Sequence, residues 1–336
     1  MKFTFLITLA LGAALSFFAN SAAAQQLSGA GASFPAPLYQ RWAVEYNKLH
    51  PDVQVNYQSV GSGAGVKQFT QGTVDFAASD AAMSDEEIAK VKQGVVMIPA
   101  TAGSVVIAYN LPEVKDLKLA RDTYVGIFLG KITKWNDPAI AKDNPGEKLP
   151  DLPINVAFRS DGSGTTFVFT KHLSALNQDF ADEVGTDKSV TWPVGAGGKG
   201  NEGVTALIKQ TPGTVGYVEY GYAVHNGLSM ASLQNKAGKF VKATDESGAA
   251  TLAHVEFPEN LRVWPEDPAG DDDYPIATFT WLLLYKKYSD SAKLKALKDF
   301  VTYGLTEGQK FASDLGYIAL PATVVEKSKA ALASVQ

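Results

Sequence analysis

The 336-residue chain has no cysteine. Disulfides and thiolate metal sites are therefore excluded, and its stability must come from a core large enough to work alone. Histidine is scarce, with four copies: His50, His172, His225 and His254. No pair of them has a metal-binding spacing, and each reads as a surface or packing residue. Positive charge is not in excess: Lys and Arg total 30 against 35 Asp and Glu, for a net charge of −5. The basic stripe of a nucleic-acid binder is missing. Any anion site must then work by local geometry, because the overall field does not attract anions. Internal repeats and low-complexity linkers are also lacking. Long apolar runs are absent after the first two dozen residues.

The one apolar run sits at the start. Lys2 precedes it, and it extends from Phe3 to about Phe18, broken by Gly12 and Ser16. Ala22-Ala23-Ala24 follows, the small-residue pattern that a signal peptidase cuts. We expect cleavage after Ala24, leaving Gln25 as the first mature residue in an exported, periplasmic protein. The alternative is an uncleaved anchor, but the run is short for a spanning helix. Without a cysteine at the junction, lipid anchoring by this route is closed. Removing residues 1–24 from 336 leaves about 312, which suggests two domains or one bilobed one.

Strand-like and helix-like segments alternate along the rest. Val53, Val55 and Tyr57 alternate with polar residues as in a strand. Segments 74–77, 95–99 and 105–110 read as three further strands. Leu38, Trp42, Tyr46 and Leu49 have helical spacing, as do Leu294, Leu297, Phe300 and Val301. Ser84 with Glu87, and Thr306 with Gln309, have the spacing of capping boxes. The alternation predicts α/β architecture with mainly parallel sheets. The run Asp271-Asp272-Asp273 reads as a solvated loop, with a cation site as the alternative. With no linker between two large parts, the chain is expected to cross between lobes within strands, as in a hinge.

Four segments place glycine and hydroxyl residues where strands should give way to helices. They are Gly29 to Pro35, Gly61 to Gly65, Ala78-Ser79-Asp80, and Arg159 to Thr165. A helix start carries unpaired N–H donors and partial positive charge. Glycine lets a ligand approach the backbone, and hydroxyls add donors without net charge. Several such starts converging on one cleft would hold a tetrahedral oxyanion. Each segment alone is equally readable as a glycine-rich turn with a serine cap. A nucleotide phosphate loop is excluded by spacing, since Gly126 to Lys131 is followed by Ile132 and Gly197 to Gly200 also fails. A serine-hydrolase elbow is excluded because Ser163 has Asp161, and Ser62 has Val60, two positions before it.

The strings GAGASFPAPLYQRWA, VGSGAGVKQ, VDFAASDA, GKITKWNDPAI, RSDGSGTTFVFT, WPVGAGGKGNEGV and GTVGYVEY resemble the periplasmic phosphate-binding family of high-affinity phosphate ABC transporters. The resemblance runs from about Leu27 to the last helix. It implies a type II periplasmic binding protein fold: two α/β lobes, a two-crossing hinge and ligand in the cleft. Crossings near 101–103 and 274–276 would give lobe I as residues 25–101 and 276–336, and lobe II as 102–275. Carried over by motif, the phosphate contacts would be Ser33, Phe34 (through its N–H), Ser62, Asp80, Arg159, Ser163, Gly164 and Thr165. Asp161 would support Arg159. Ser33 stands where the family often has threonine. After Ser62 the family often reads Ser-Ser or Ser-Gly, and Gly63 here would cost one neighbouring hydroxyl. The segments around Trp135 and Trp192 also match but are assigned no ligand contact. The resemblance implies no cofactor, no resident metal and no catalysis. It implies a monomer whose partners are inorganic phosphate and permease subunits in the inner membrane.

Three other readings stay open from sequence. A receptor for sulfate or molybdate would share the helix-start chemistry, but Asp80 counts against it. A phosphatase using Ser62 or Ser163 would need a base that the neighbouring sequence does not supply. A surface or scavenging protein would bind phosphate without a transporter.

Overall fold

The computed structural model describes residues 24–336. The apolar run of the expected leader lies outside them. Among the described residues, no helix is long and apolar enough to cross a membrane.

The chain opens with strand β1 (Gln25–Gly31), helix α1 (Ala36–Leu49), β2 (Val53–Ser59), α2 (Ser62–Gln71) and β3 (Phe76–Ser79). β4 (Val95–Tyr109) follows, then β5 (Asn155–Arg159), α3 (Gly164–Leu176), β6 (Ala196–Gly198), α4 (Gly200–Gln210) and β7 (Thr214–Glu219). β8 (Ala277–Tyr285) returns the chain to the first half, and α5 (Ser291–Leu305) packs there. The principal sheet has the order β2-β1-β3-β8-β4-β7-β5-β6. β1 pairs parallel with both β2 and β3, and β5 pairs parallel with both β6 and β7. β4 and β8 run antiparallel between these groups, so the sheet is mixed where we expected it mainly parallel.

β4 joins the two halves. Residues 95–104 pair with β8, and residues 105–109 pair with β7. The sequence predicts two strands here, broken between Pro99 and Val105; the structure has one 15-residue strand. Pro99 cannot donate to a ladder, and the register slips by one residue at that point instead of ending the strand. The partner change falls at Ser104/Val105, just beyond the crossing expected at 101–103. The two-crossing α/β architecture is thus that of a type II periplasmic binding fold.

Several local expectations hold. α1 buries Leu38, Trp42 and Tyr46 on one face, although Leu49 is exposed at its end. α5 buries Leu297, Phe300 and Val301. Ser84 and Glu87 form a reciprocal capping box on the Asp85–Ala89 helix. Thr306 and Gln309 do not. Thr306 Oγ1 donates back to the Thr302 carbonyl, and Gln309 reaches across to the Ala100 carbonyl and the Leu320 N–H. A tertiary need for that side chain outcompetes the local cap. The strand expected at 74–77 lies at Phe76–Ser79; before it, the Asp75 N–H donates to the Ser28 carbonyl while its carboxylate accepts from the Ser28 N–H and hydroxyl. Asp271 and Asp272 are exposed, but Asp273 is buried, accepting the Gly270 N–H and facing His254. His172 is packed in the interior against Tyr124, and burial lowers its pKa to about 4. The other three histidines are exposed. Trp135 is a core residue anchored on the Gly213 carbonyl, and Trp192 packs among Phe128, Phe158, Phe169 and Tyr217.

Candidate functional site

The parallel strands of both halves end at one crevice, the usual binding position in open α/β sheets. β1 delivers Ser33 and Phe34, β2 leads into Ser62, and β3 delivers Asp80. β5 ends at Arg159 and leads into Asp161, Ser163, Gly164 and Thr165. Ser33, Phe34, Ser62, Asp80, Arg159, Ser163, Gly164 and Thr165 are all buried. The structure therefore brings together every residue that sequence motifs nominated. Lys67, the other cation of the glycine-rich segments, is exposed and stands apart.

Glycine is what permits the approach. Gly61 precedes α2 at φ +90°, a left-handed conformation that other residues adopt only under strain. A Cβ on it would sit 2.2 Å from Asp161 Oδ2. A Cβ on Gly65 would sit 2.4 Å from Gly31 Cα, so the helix start rests directly on the end of β1. A Cβ on Gly164 would come 2.5 Å from both Asp80 Oδ2 and Ser62 Oγ. The two walls of the crevice therefore meet at the start of α3.

Their contacts are hydrogen bonds. Gly164 N–H donates to Ser62 Oγ at 3.1 Å, and Gly63 N–H donates to the Gly162 carbonyl at 2.8 Å. Tyr222 hydroxyl donates to the Ser33 carbonyl at 2.7 Å. Lys188 pairs with Glu87 across the rim. Ser163 Oγ accepts the Thr166 N–H at 3.0 Å and is engaged as the cap of α3. The backbone N–H groups of Phe34 and Thr165 belong to buried residues and have no acceptor among the described residues. Buried N–H groups are seldom left so, and these two remain available to a further acceptor.

Charge is arranged as tightly. Arg159 donates from Nε to Asp161 Oδ1 at 2.8 Å and from Nη2 to Oδ2 at 2.6 Å, a bidentate pair. Burial pushes the Asp161 carboxyl up, but the Arg159 contacts and the Gly200 N–H outweigh it and hold the group below its ordinary range. Arg159 Nη1 remains free of the carboxylate and points to Thr165 Oγ1 at 3.3 Å. Asp80 is the reverse case. Burial raises its pKa to about 7, and the Thr280 hydroxyl, the Arg159 charge and the Ser62 hydroxyl lower it only in part. Thr280 Oγ1 donates to Asp80 Oδ1 at 2.7 Å, leaving Oδ2 toward the α3 start. The Asp80 carboxylate does not cap its own turn; its side-chain partner is on β8.

Two residues at the site escape sequence reasoning. Thr280 lies on an apolar strand 200 residues from Asp80, and only its hydroxyl in a buried run hinted at a task. Asn201, on the segment assigned no ligand contact, is fully buried against Ser33 and Thr165. Its signal was present, since Gly197-Gly198-Lys199-Gly200 is another glycine-rich passage from strand to helix. The start of α4 is thus a further helix N-terminus at the crevice.

Comparison with known proteins agrees with this geometry. A PBP superfamily domain model matches residues 18–307. The chain is 44% identical over 319 residues to "Phosphate-binding protein PstS" of Pasteurella multocida, covering 94% of this chain and 92% of that protein. It is 44% identical over 313 residues to the protein of the same name from Haemophilus influenzae, covering 92% of each. Among solved structures, a phosphate-binding protein from Stenotrophomonas maltophilia superposes with a TM-score of 0.73 at 23% identity, covering 91% of this chain and 93% of that one. That likeness speaks for the fold; the two sequence relatives, nearly full-length, carry the assignment. The chain belongs to the PBP superfamily and, within it, to the family of phosphate-binding proteins named PstS.

Proposed function

We propose that the chain is a periplasmic receptor that closes on inorganic phosphate and delivers it to the permease of an ABC transporter. The observation that carries this is Asp80, a buried carboxylate whose Oδ2 is left toward a crevice lined by N–H, hydroxyl and guanidinium donors, while the Asp161 carboxylate is taken up by Arg159. A carboxylate repels an anion unless the anion brings a proton. Phosphate near neutral pH still has an O–H to donate, and sulfate has none. Burial raises Asp80 to about 7, so above that pH the group is ionised and accepts the ligand O–H, which sulfate lacks.

In this reading the phosphate contacts are Ser33, Phe34, Ser62, Asp80, Arg159, Ser163, Gly164 and Thr165, with Asp161 aiming Arg159. Lobe I is residues 25–101 and 276–336, and lobe II is residues 102–275. Because ligand groups come from both, binding favours the closed form. The chain acts as a receptor and not as an enzyme: the Ser163 hydroxyl is engaged as a helix cap, and Ser62 Oγ accepts from Gly164 N–H. Export with cleavage after Ala24 would place it where the permease could meet it.

Calorimetric titration of the purified protein against phosphate, sulfate, arsenate and molybdate at one pH tests the reading. A site built around a ligand hydrogen bond rejects the analogue lacking it by roughly 10⁴–10⁵-fold. Phosphate should therefore bind and sulfate should not. Asp80→Asn should admit sulfate, since an amide both donates and accepts. Comparable affinity of the parent for both anions would overturn the proposal.

A further inference from the structure

Asn201 makes four hydrogen bonds at the crevice. Its backbone N–H donates to Ser33 Oγ at 3.1 Å. Its side-chain Nδ2 donates to the same Ser33 Oγ at 2.9 Å and to Thr165 Oγ1 at 3.3 Å. Its Oδ1 accepts the Glu219 N–H at 2.9 Å. Because a backbone N–H is a donor only, that last contact decides which end of the amide is oxygen. Nδ2 is thereby committed to the two hydroxyls.

The consequence lies in the hydroxyls. A serine or threonine hydroxyl has two acceptor positions and one proton. Ser33 Oγ receives two N–H groups, both from Asn201. Thr165 Oγ1 receives Asn201 Nδ2 and Arg159 Nη1. Each oxygen has both acceptor positions filled, so each can act toward a further group only as a donor. Ser33 follows β1 and Thr165 lies on α3, in opposite walls of the crevice. The next residue back, Gly200, donates to Asp161 Oδ1 at 3.0 Å, so the α4 start also braces the carboxylate that holds Arg159.

We propose that Asn201 is a positioning residue that makes Ser33 and Thr165 obligate donors toward the bound anion and ties the two walls together when they close. It need not touch the anion. It prevents the two hydroxyls from rotating their lone pairs toward a negatively charged ligand, where they would repel it. This rests on the phosphate reading above.

The test is a double-mutant cycle read by phosphate titration of the parent, Asn201→Ala, Ser33→Ala and the double variant, with thermal melting to confirm folding. Asn201→Ala should weaken phosphate binding by about tenfold or more, and by less than about threefold when Ser33 is already alanine, the signature of contacting residues. A merely structural role would give the same loss in both backgrounds, and that result overturns the proposal. So does parent-like affinity in Asn201→Ala. If the alanine variant fails to fold, Asn201→Asp keeps the Glu219 contact and the side-chain volume while removing both Nδ2 donors. It should bind phosphate at least as poorly as expected for the alanine variant, and parent-like affinity would again sink the idea. If the parent itself does not bind phosphate, the functional reading has failed and this inference falls with it, a result distinct from a parent that binds with no coupling to Ser33.

Discussion

Arg159 and Asp80 show how burial gives single residues unequal tasks. The Arg159 side chain is almost wholly buried, and Asp161 takes two of its nitrogens. Arg159→Ala removes a charge-assisted contact worth roughly 1.5–3 kcal/mol and strands the Asp161 carboxylate beside the anion. Phosphate affinity should fall by more than about a hundredfold with the fold intact, and a loss under about threefold in titration would exclude Arg159 from the site. Asp80 controls a different quantity. Its folded pKa of about 7 lies above the ordinary 3.8, so the folded chain holds that proton more tightly than the unfolded chain does. The stability this confers is fully present below the ordinary value and is lost as pH rises through about 7. Buried Glu219, pushed up by burial, acts in the same direction. His172, lowered to about 4 by burial, acts the opposite way, so the Asp80 contribution is read by difference, from the pH slope of melting curves of the parent and of Asp80→Asn in phosphate-free buffer. Asp80→Asn should lose less stability than the parent as pH rises through about 7, and an identical slope in both would contradict the assignment.

At the scale of elements, the helix starts are what sequence made legible. An N-terminal turn advertises itself through neighbours in the chain, as with Gly61 before α2 and Ser163 before α3. The nominated residues of both segments do lie together in the crevice. What an element touches is less visible. Nothing local says that Gln309 will be drawn to the Ala100 carbonyl, or that Pro99 will be absorbed as a slip in β4 and not end it. The packing of α2 on β1 yields a test of its own. In Gly65→Ala the new methyl meets Gly31 Cα and the Ala30 carbonyl, backbone on both counts, so the helix must move and carry Ser62 with it. Overpacking of this kind costs about 1–3 kcal/mol. Both melting temperature and phosphate affinity should drop. Gly72→Ala, at the other end of the helix with φ +73° and open space around it, should lower stability without altering affinity. Equal affinity in the two variants would separate the α2 start from the site.

For the whole molecule, one strand shared by two sheet halves and hydrogen bonds across the crevice are what the proposed closure on phosphate would use. Phosphate should therefore compact the protein. Small-angle scattering checks this, and an unchanged radius of gyration with binding confirmed separately would refute the hinge. Gly164→Ala gives the matching control. Its methyl would press on Asp80 and Ser62 where the walls meet, so the compaction should be lost.

The sequence by itself determined the donors: glycine, hydroxyl and arginine set at strand ends before helices, a property of residues adjacent in the chain. It also determined the lack of any thiolate site and the need for geometry over net charge. Only the tertiary structure decided which groups those donors meet. Thr280 reaches Asp80 because β8 runs antiparallel beside β3, and Asn201 reaches Ser33 because α4 starts against the end of β1. Those pairs are 200 and 168 residues apart, and no local pattern encodes a partner at that separation. The raised pKa of Asp80 follows from the same fact, since burial is set by everything packed around the carboxylate and not by its neighbours in the chain.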